Sequence, residues 1–250
     1  MIKHFLLISL FLYSSTAPVF GQTFDLNQAY QDYLHTYNQY RQAQEEYSTA
    51  KTLAKTRQML EKRSEVFRDY LVFTRLNLAK TTRIIDYPTN VLYMKLDKET
   101  DWLLGHKDNL SSASTKEELL KISSEFELKH PHTEFLIYQS LGKIVKAKED
   151  NLYQKVNQLI SETETKTLEI KEENKEESLI WEHWLAEVKN RAGESLQKQN
   201  EAKTILQGLE AKTQTNKEFH KAQFALKESN QSLKEVVFYL KEIIRKIKYD

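Results

Sequence analysis

Apolar residues recur along most of this chain at steps of three and four, the spacing that lines one face of an α-helix. The first such stretch, residues 24–85, contains no proline or glycine. It carries a tyrosine series made of Tyr30, Tyr33, Tyr37, Tyr40 and Tyr47, with Gln44 in the one skipped place. The pattern predicts a single long helix over residues 25–85 that packs along a partner helix. Its second half has a wider apolar face, which predicts contact with two neighbouring helices.

Proline and glycine predict where the next helices end. Pro88 follows the long helix, because the residue before a proline disfavours the helical conformation. Gly105 indicates the end of a short helix over residues 90–104. Residues 114–117 have the S-x-x-E spacing of a capping box, which predicts a second short helix over residues 115–129. Pro131 then ends that helix, and a long helix over residues 132–171 follows.

The spacing of apolar residues in the C-terminal third predicts one more long helix, over residues 178–249. Residues 171–178 have no apolar side chain and four glutamates, which places a turn near Asn174 and the helix start at Ser178. The alternative is a helix continuous through this stretch, with the turn at Gly193. Residues 213–216 have low helix propensity and predict a joint.

These elements together predict the fold class. We expect an all-α protein, an elongated antiparallel helical bundle or coiled coil, in which the two short helices cap one end. Residues 22–250 would form a single domain.

Residues 1–21 have the three parts of a secretory signal peptide. Lys3 and His4 precede a mostly apolar run over residues 5–13, and Val19 and Gly21 suit a cleavage site before Gln22. The run is too short to cross a bilayer, so an N-terminal membrane anchor is the less favoured alternative. We therefore expect a mature protein that starts at Gln22 and is secreted, periplasmic or at the cell surface.

Composition narrows the classes of partner and chemistry. The chain has 37 basic and 36 acidic residues, without the basic excess typical of nucleic-acid binders, so no nucleic-acid partner is expected. It has no cysteine, which excludes disulfides and thiol catalysis.

Motifs for catalysis or for cofactor binding do not occur in the sequence. His130 and His132 bracket Pro131, but no third ligand follows at a metal-binding spacing, so a polar helix junction is favoured over a metal site. Gly142 and Lys143 lack the upstream glycine of a phosphate-binding loop. We therefore predict no catalytic, cofactor-binding or metal-binding residue and a protein that is not an enzyme.

Two groups of aromatic residues are candidates for binding a partner. Trp181 and Trp184 share a helix face, and tryptophan is a frequent anchor at interfaces. The tyrosine series, represented by Tyr30, Tyr33, Tyr37 and Tyr40, would form either a seam between helices or an exposed ridge. For both groups, packing inside the protein is the favoured interpretation.

The C-terminal run over residues 236–247 mixes apolar residues with lysine and arginine. Contact with an anionic membrane surface through this helix is one interpretation. Packing is the favoured one, since Leu233, Val237, Leu240, Ile244 and Ile247 make one apolar stripe. The oligomeric state is left open.

One resemblance adds to the prediction of export. The signal-like start, the segment Tyr30–Leu34 and the segments Leu233–Glu235 and Leu240–Ile244 resemble secreted coiled-coil proteins of candidate phyla radiation bacteria. No activity is assigned to that family, so the resemblance implies only a compartment and an architecture. We expect an exported structural or interaction protein of the cell envelope or surface, binding a partner through helix faces. The alternative is a secreted helical protein that associates with a membrane surface, either peripherally or as a pore-former.

Overall fold

The computed structural model describes residues 25–81, 87–171, 178–209 and 215–249, and all regular structure in these ranges is helical. The helices are α1 (Leu26–Thr49), α2 (Leu53–Lys80), α3 (Tyr87–Ser112), α4 (Lys116–Lys171), α5 (Ser178–Gln207) and α6 (Thr215–Tyr249). The predicted all-α bundle is confirmed for the described part of the chain. The predicted signal peptide, residues 1–21, lies outside the described residues.

The helices belong to two compact units, where the sequence predicts one domain. Unit 1 contains α1, α2, α3 and the part of α4 up to His130. Unit 2 contains the rest of α4 from Pro131, with α5 and α6.

Helices α1 and α2 of unit 1 run antiparallel. The Tyr33 ring lies 4.9 Å from the Tyr70 ring, and the Tyr30 ring lies 5.3 Å from the Phe73 ring. As residue numbers fall along α1, those of the facing residues on α2 therefore rise. Across the same seam the Thr36 hydroxyl donates a hydrogen bond of 2.6 Å to an Asp69 carboxylate oxygen.

Helix α2 also packs against the other two helices of unit 1. The Ser64 hydroxyl lies 3.0 Å from Nδ1 of His106 on α3. The Phe67 ring lies 5.4 Å from the Phe126 ring on α4, and Arg63 donates to the Ser123 hydroxyl at 3.1 Å. The wide apolar face of α2 thus contacts more than one neighbour, as the sequence predicts.

The predicted single helix over residues 25–85 is wrong, because the chain breaks between α1 and α2. Ala50 is extended, with φ −151° and ψ 109°. The Ser48 and Thr49 hydroxyls donate to the Glu45 and Glu46 carbonyls, and Thr52 caps α2 by accepting from the Lys55 amide at 3.3 Å. Short hydroxyl side chains that bond nearby backbone groups compete with helix propagation, and here they end one helix and start the next without glycine or proline.

The two predicted short helices are also wrong, since neither Gly105 nor Pro131 ends a helix. Gly105 lies inside α3, at a position where an added Cβ would meet nothing within 4 Å. An exposed helical glycine costs only about 1 kcal/mol, and Leu103 and Leu110 are fully buried on either side of it.

Pro131 lies inside the 56-residue helix α4, which joins the predicted helices 115–129 and 132–171. A proline in a helix interior costs about 3 kcal/mol or more. Buried side chains flank it, with Phe126 in unit 1 and Leu136 in unit 2. Packing on both sides outweighs the local penalty, so the helix continues through Pro131.

The start of α4 is a capping box one residue later than the sequence spacing predicts. Thr115 is the N-cap, because its hydroxyl accepts from the Glu118 amide at 3.2 Å. The Glu118 carboxylate in turn accepts from the Thr115 amide at 3.2 Å and from the Ser114 amide at 2.6 Å.

Replacing Thr115 with alanine should lower the free energy of unfolding by about 1 kcal/mol, because the Glu118 amide loses its capping hydroxyl and only one half of the reciprocal cap is left. Urea unfolding followed by circular dichroism measures this change. Ser124→Ala is the matched control on the exposed side of α4 and should stay within about 0.5 kcal/mol. Equal effects of the two substitutions would show that Thr115 does not cap α4.

Unit 2 is a three-helix bundle in which α5 lies antiparallel to both other helices. Across α5 and α6, Arg191 pairs with Glu235 at 3.1 Å and Lys198 pairs with Glu228 at 2.8 Å. Across α5 and α4, Lys189 pairs with Glu164 at 2.8 Å, and the Leu206 side chain lies beside Gly142. Tyr138 on α4 stacks on Phe219 of α6 at 4.9 Å.

The predicted helix over residues 178–249 is two helices, α5 and α6. Gly193 lies inside α5, which contradicts the alternative turn at that residue. The preferred turn at Asn174 lies outside the described residues. The predicted joint at 213–216 overlaps the start of α6 at Thr215, whereas α5 already ends at Gln207.

Candidate functional site

The tyrosine series is a seam inside unit 1. Tyr33, Tyr37 and Tyr40 are only 1%, 7% and 7% exposed, and Tyr30 is half-buried against Phe73. The Tyr40 hydroxyl lies at the edge of the seam, where it accepts from the Gln44 amide at 2.8 Å. Three of the four tyrosines proposed for partner binding are therefore inaccessible in the folded unit, as expected for the packing interpretation.

The two candidate tryptophans differ in their surroundings. Trp181 is 3% exposed, whereas Trp184 is half-buried. Trp181 therefore contributes to the core of unit 2, and only part of Trp184 is available to a partner.

The two histidines beside Pro131 do not face a common site. The His130 ring packs edge-on against Phe67 at 5.1 Å, whereas His132 is exposed. Burial lowers the pKa of His130, which favours a neutral ring. In the described part of the chain, no group of three or more histidine, cysteine, aspartate or glutamate side chains is arranged to hold a metal ion.

His106, at the centre of unit 1, is the most enclosed of the described histidines. Its Nε2 lies 2.9 Å from the Ile122 carbonyl oxygen, which can only accept. Nε2 therefore carries the proton, and Nδ1 accepts from the Ser64 hydroxyl at 3.0 Å. Burial lowers the pKa of His106. Both ring nitrogens are engaged, so this histidine ties three helices together and has no free lone pair for acid–base catalysis.

Cations cover the aromatic rings around His106. The Arg63 guanidinium lies 4.0 Å from the Phe126 ring centroid, and the Lys129 ammonium lies 4.0 Å from the Trp102 ring centroid. Lys129 also pairs at 3.2 Å with Glu99, which is buried. These contacts join α2 to α4 and α3 to α4 within unit 1.

Four polar side chains cross the core of unit 2 and form what we call the polar layer: Glu149 on α4, Ser195 and Gln199 on α5, and Ser229 on α6. All four are buried. The Ser195 and Ser229 hydroxyls are 2.9 Å apart, and the Gln199 amide reaches them at 3.4 Å and 3.3 Å.

The polar layer separates two apolar clusters along each helix. One cluster includes Val156, Ala192 and Leu233, and the other includes Ala202 and Leu226 with half-buried Val145. Along α4, Glu149 falls between the two clusters, as Ser195 does on α5 and Ser229 on α6. A polar layer at one level of a bundle specifies the register of its helices.

A repeating set of exposed residues follows the outer side of α6. We call this set the α6 outer stripe: Phe224, Lys227, Gln231, Lys234, Phe238, Lys241 and Arg245. All are exposed, with Phe224 at 61% and Phe238 at 59%. The two phenylalanines are two heptads apart, and the three lysines repeat every seven residues between and beyond them. In the described part of the chain, these three lysines make no ion pair within 4.0 Å.

The predicted apolar stripe of this helix is confirmed at Leu233 and Leu240 and is wrong at Ile244. The buried residues are Leu233, Val236, Leu240 and Ile243, whereas Ile244 is 47% exposed and Val237 is half-buried. Ile247 is outside the residues whose side chains are described. The apolar part of the run over residues 236–247 therefore packs in the core, as the favoured interpretation expects, with a shifted register.

The α6 outer stripe was missed because the predicted apolar stripe of this helix includes neither Phe224 nor Phe238. The signal available in the sequence was the seven-residue repeat of Lys227, Lys234 and Lys241, in step with Phe224 and Phe238.

Comparisons with protein-family models, with curated proteins and with solved structures find nothing that matches this chain. Among the described residues, no helix is long and apolar enough to cross a membrane. The fold and site define the chain as an all-α protein with two helical units.

Proposed function

We propose that this protein is an exported, non-enzymatic structural or interaction protein of the bacterial cell envelope or surface, which binds its partner through an exposed helix face. The observation that carries the proposal is the α6 outer stripe. The signal-like residues 1–21 support export.

The α6 outer stripe differs from the other exposed apolar residues. Single exposed residues such as Leu128 and Met94 are normal on soluble proteins. On α6, two large aromatic rings repeat on one face of a helix whose opposite face is fixed by Val236, Leu240 and Ile243. A rigid helix with exposed aromatic anchors and cations is suited to recognition rather than to catalysis.

Site-specific cross-linking tests this proposal. A photo-activated residue in place of Gln231 should give adducts in the envelope fraction of cells that make the protein, and N-terminal sequencing should begin at Gln22. The matched control is the same substitution at Gln197, an exposed glutamine on α5. Equal adducts from both positions would contradict binding through α6, and an intact Met1 in recovered protein would contradict export with cleavage.

The second candidate is a secreted helical protein that associates with a membrane surface. The cations of the α6 outer stripe favour peripheral association, because clustered lysine and arginine attract anionic lipid.

A further inference from the structure

We infer that the partner of the α6 outer stripe is an anionic lipid surface, on which α6 lies flat with Phe224 and Phe238 inserted among the headgroups. This inference rests on the proposed function and gives its binding face a partner of defined chemistry.

The repeat geometry makes the stripe nearly straight. Seven residues of an α-helix fall about 20° short of two full turns, so residues a heptad apart stay on one side over a few heptads. Phe224 and Phe238 are therefore about 21 Å apart along the axis, and the stripe through Arg245 is about 32 Å long. A straight row of this length matches a flat surface.

The size of the stripe argues against a folded protein as its partner. A face about 32 Å long on a helix about 10 Å wide offers roughly 300 Å². A stable protein interface needs about 800 Å² from each partner. A lipid surface needs no such area, because it attracts each exposed cation and aromatic ring separately.

The charge of the stripe defines the headgroup and excludes a second copy of this face. Lys227, Lys234, Lys241 and Arg245 are all cationic, so two copies would place like charges against each other. A glutamate follows each of the three lysines: Glu228 pairs with Lys198 at 2.8 Å, Glu235 pairs with Arg191 at 3.1 Å, and Glu242 lies 3.9 Å from Arg245. Two of these glutamates are paired with cations of α5, and Glu242 offsets only one of the four stripe cations. The outward side therefore has a net positive charge, which complements anionic headgroups.

Co-sedimentation with lipid vesicles tests the inference. The full chain should bind vesicles made of equal parts of phosphatidylglycerol and phosphatidylcholine far more tightly than vesicles of phosphatidylcholine alone. Higher salt should weaken this binding, because salt screens the attraction.

Two stripe variants and two matched controls locate the binding face. K227Q/K234Q/K241Q should weaken binding to the anionic vesicles about 100-fold, and F224A/F238A should weaken it about 10-fold or more. The charge control K121Q/K155Q/K203Q removes three exposed lysines on other faces, and the apolar control L128A/L168A removes two exposed leucines. Both controls should bind like the wild type. Residues 1–24 are the same in every variant, and circular dichroism verifies that each is folded.

Any of three results would overturn the inference. The chain does not bind the vesicles, it binds both vesicle types equally, or the stripe variants and the controls lose binding equally. If the protein does not bind the vesicles but cross-links from residue 231 identify one envelope protein, the lipid inference fails and the proposed function stands. If stripe-dependent vesicle binding occurs in a protein that is not exported, the proposed envelope role fails and the lipid inference stands.

Discussion

Replacing Tyr33 with alanine should lower the free energy of unfolding by about 3–5 kcal/mol, the range for truncating a large aromatic residue in a full core. Tyr33 is 1% exposed, and its ring lies 4.9 Å from Tyr70 and 6.2 Å from Tyr37. Its removal leaves a cavity between α1 and α2 that the surrounding rings fill only in part. Thermal and urea unfolding followed by circular dichroism measure the loss.

Two further variants test whether the loss of stability comes from the buried ring of Tyr33 rather than from its hydroxyl or from the loss of any tyrosine on α1. Tyr33→Phe keeps the ring and removes a buried hydroxyl for which the described residues provide no hydrogen-bond partner. Burial raises the pKa of that hydroxyl far above its usual value, so it stays neutral in the folded wild type. Because an unsatisfied buried polar group is unfavourable, Tyr33→Phe should equal or exceed the wild type in stability.

Tyr47→Ala removes a half-buried tyrosine from the end of the same helix. It should cost much less than Tyr33→Ala, about 1 kcal/mol. If Tyr33→Ala melts like the wild type, the tyrosine series is a surface and the seam described between α1 and α2 is wrong.

Periodicity predicted the parts of the fold that depend on burial. Leu60, Phe67 and Leu71 recur at helical spacing in the second half of the predicted helix over residues 25–85, and all three are buried in α2. Helix ends were predicted less well, because they depend on a balance of small local terms and distant contacts. The break at Ala50 arises from hydroxyl groups of Ser48, Thr49 and Thr52, which are common residues with no strong signal.

At Pro131 and Gly105 the error is the opposite one, because a helix end is predicted where the helix continues. Both are strong local signals for a helix end, and in both cases the helix continues because buried residues on either side hold it in place. That stabilisation cannot be predicted from the sequence of the helix itself, because it comes from side chains on other helices.

The face of α6 could not be fixed from its own sequence. Val236 and Val237 are adjacent, as are Ile243 and Ile244, so steps of three and four accommodate either member of each pair. Contacts with α4 and α5 select Val236 and Ile243. This choice places Phe238, which is 59% exposed, directly opposite the buried face.

Glu149 should make the stability of unit 2 depend on pH in a direction opposite to that of most carboxylates. Its side chain is 3% exposed, and its Oε1 has no hydrogen-bond partner among the described residues. Burial, with a smaller contribution from the charge of Asp150, raises the pKa of Glu149 to about 7. The folded protein therefore holds a proton that the unfolded chain releases near pH 4.5.

The sign follows from proton linkage. Below about pH 4.5 both states are protonated at Glu149, so the group makes no pH-dependent contribution. Between about pH 4.5 and about 7 the unfolded state binds fewer protons, so the free energy of unfolding falls as pH rises. Each unit of pKa difference is worth about 1.4 kcal/mol, which gives a total fall of up to about 3 kcal/mol. Above about pH 7 both states are ionised and the contribution is constant.

Glu149→Gln should remove this fall, because an amide of nearly the same shape does not ionise. The difference in free energy of unfolding between the variant and the wild type should therefore grow by about 3 kcal/mol in favour of the variant from pH 4.5 to pH 8. Using the difference cancels the titration of groups common to both proteins, including His106 and His130. Glu162→Gln, at an exposed position of α4, is the matched control. Its difference from the wild type should stay nearly constant over the same range. Parallel stability curves for Glu149→Gln and the wild type would show that Glu149 does not hold its proton in the core of unit 2.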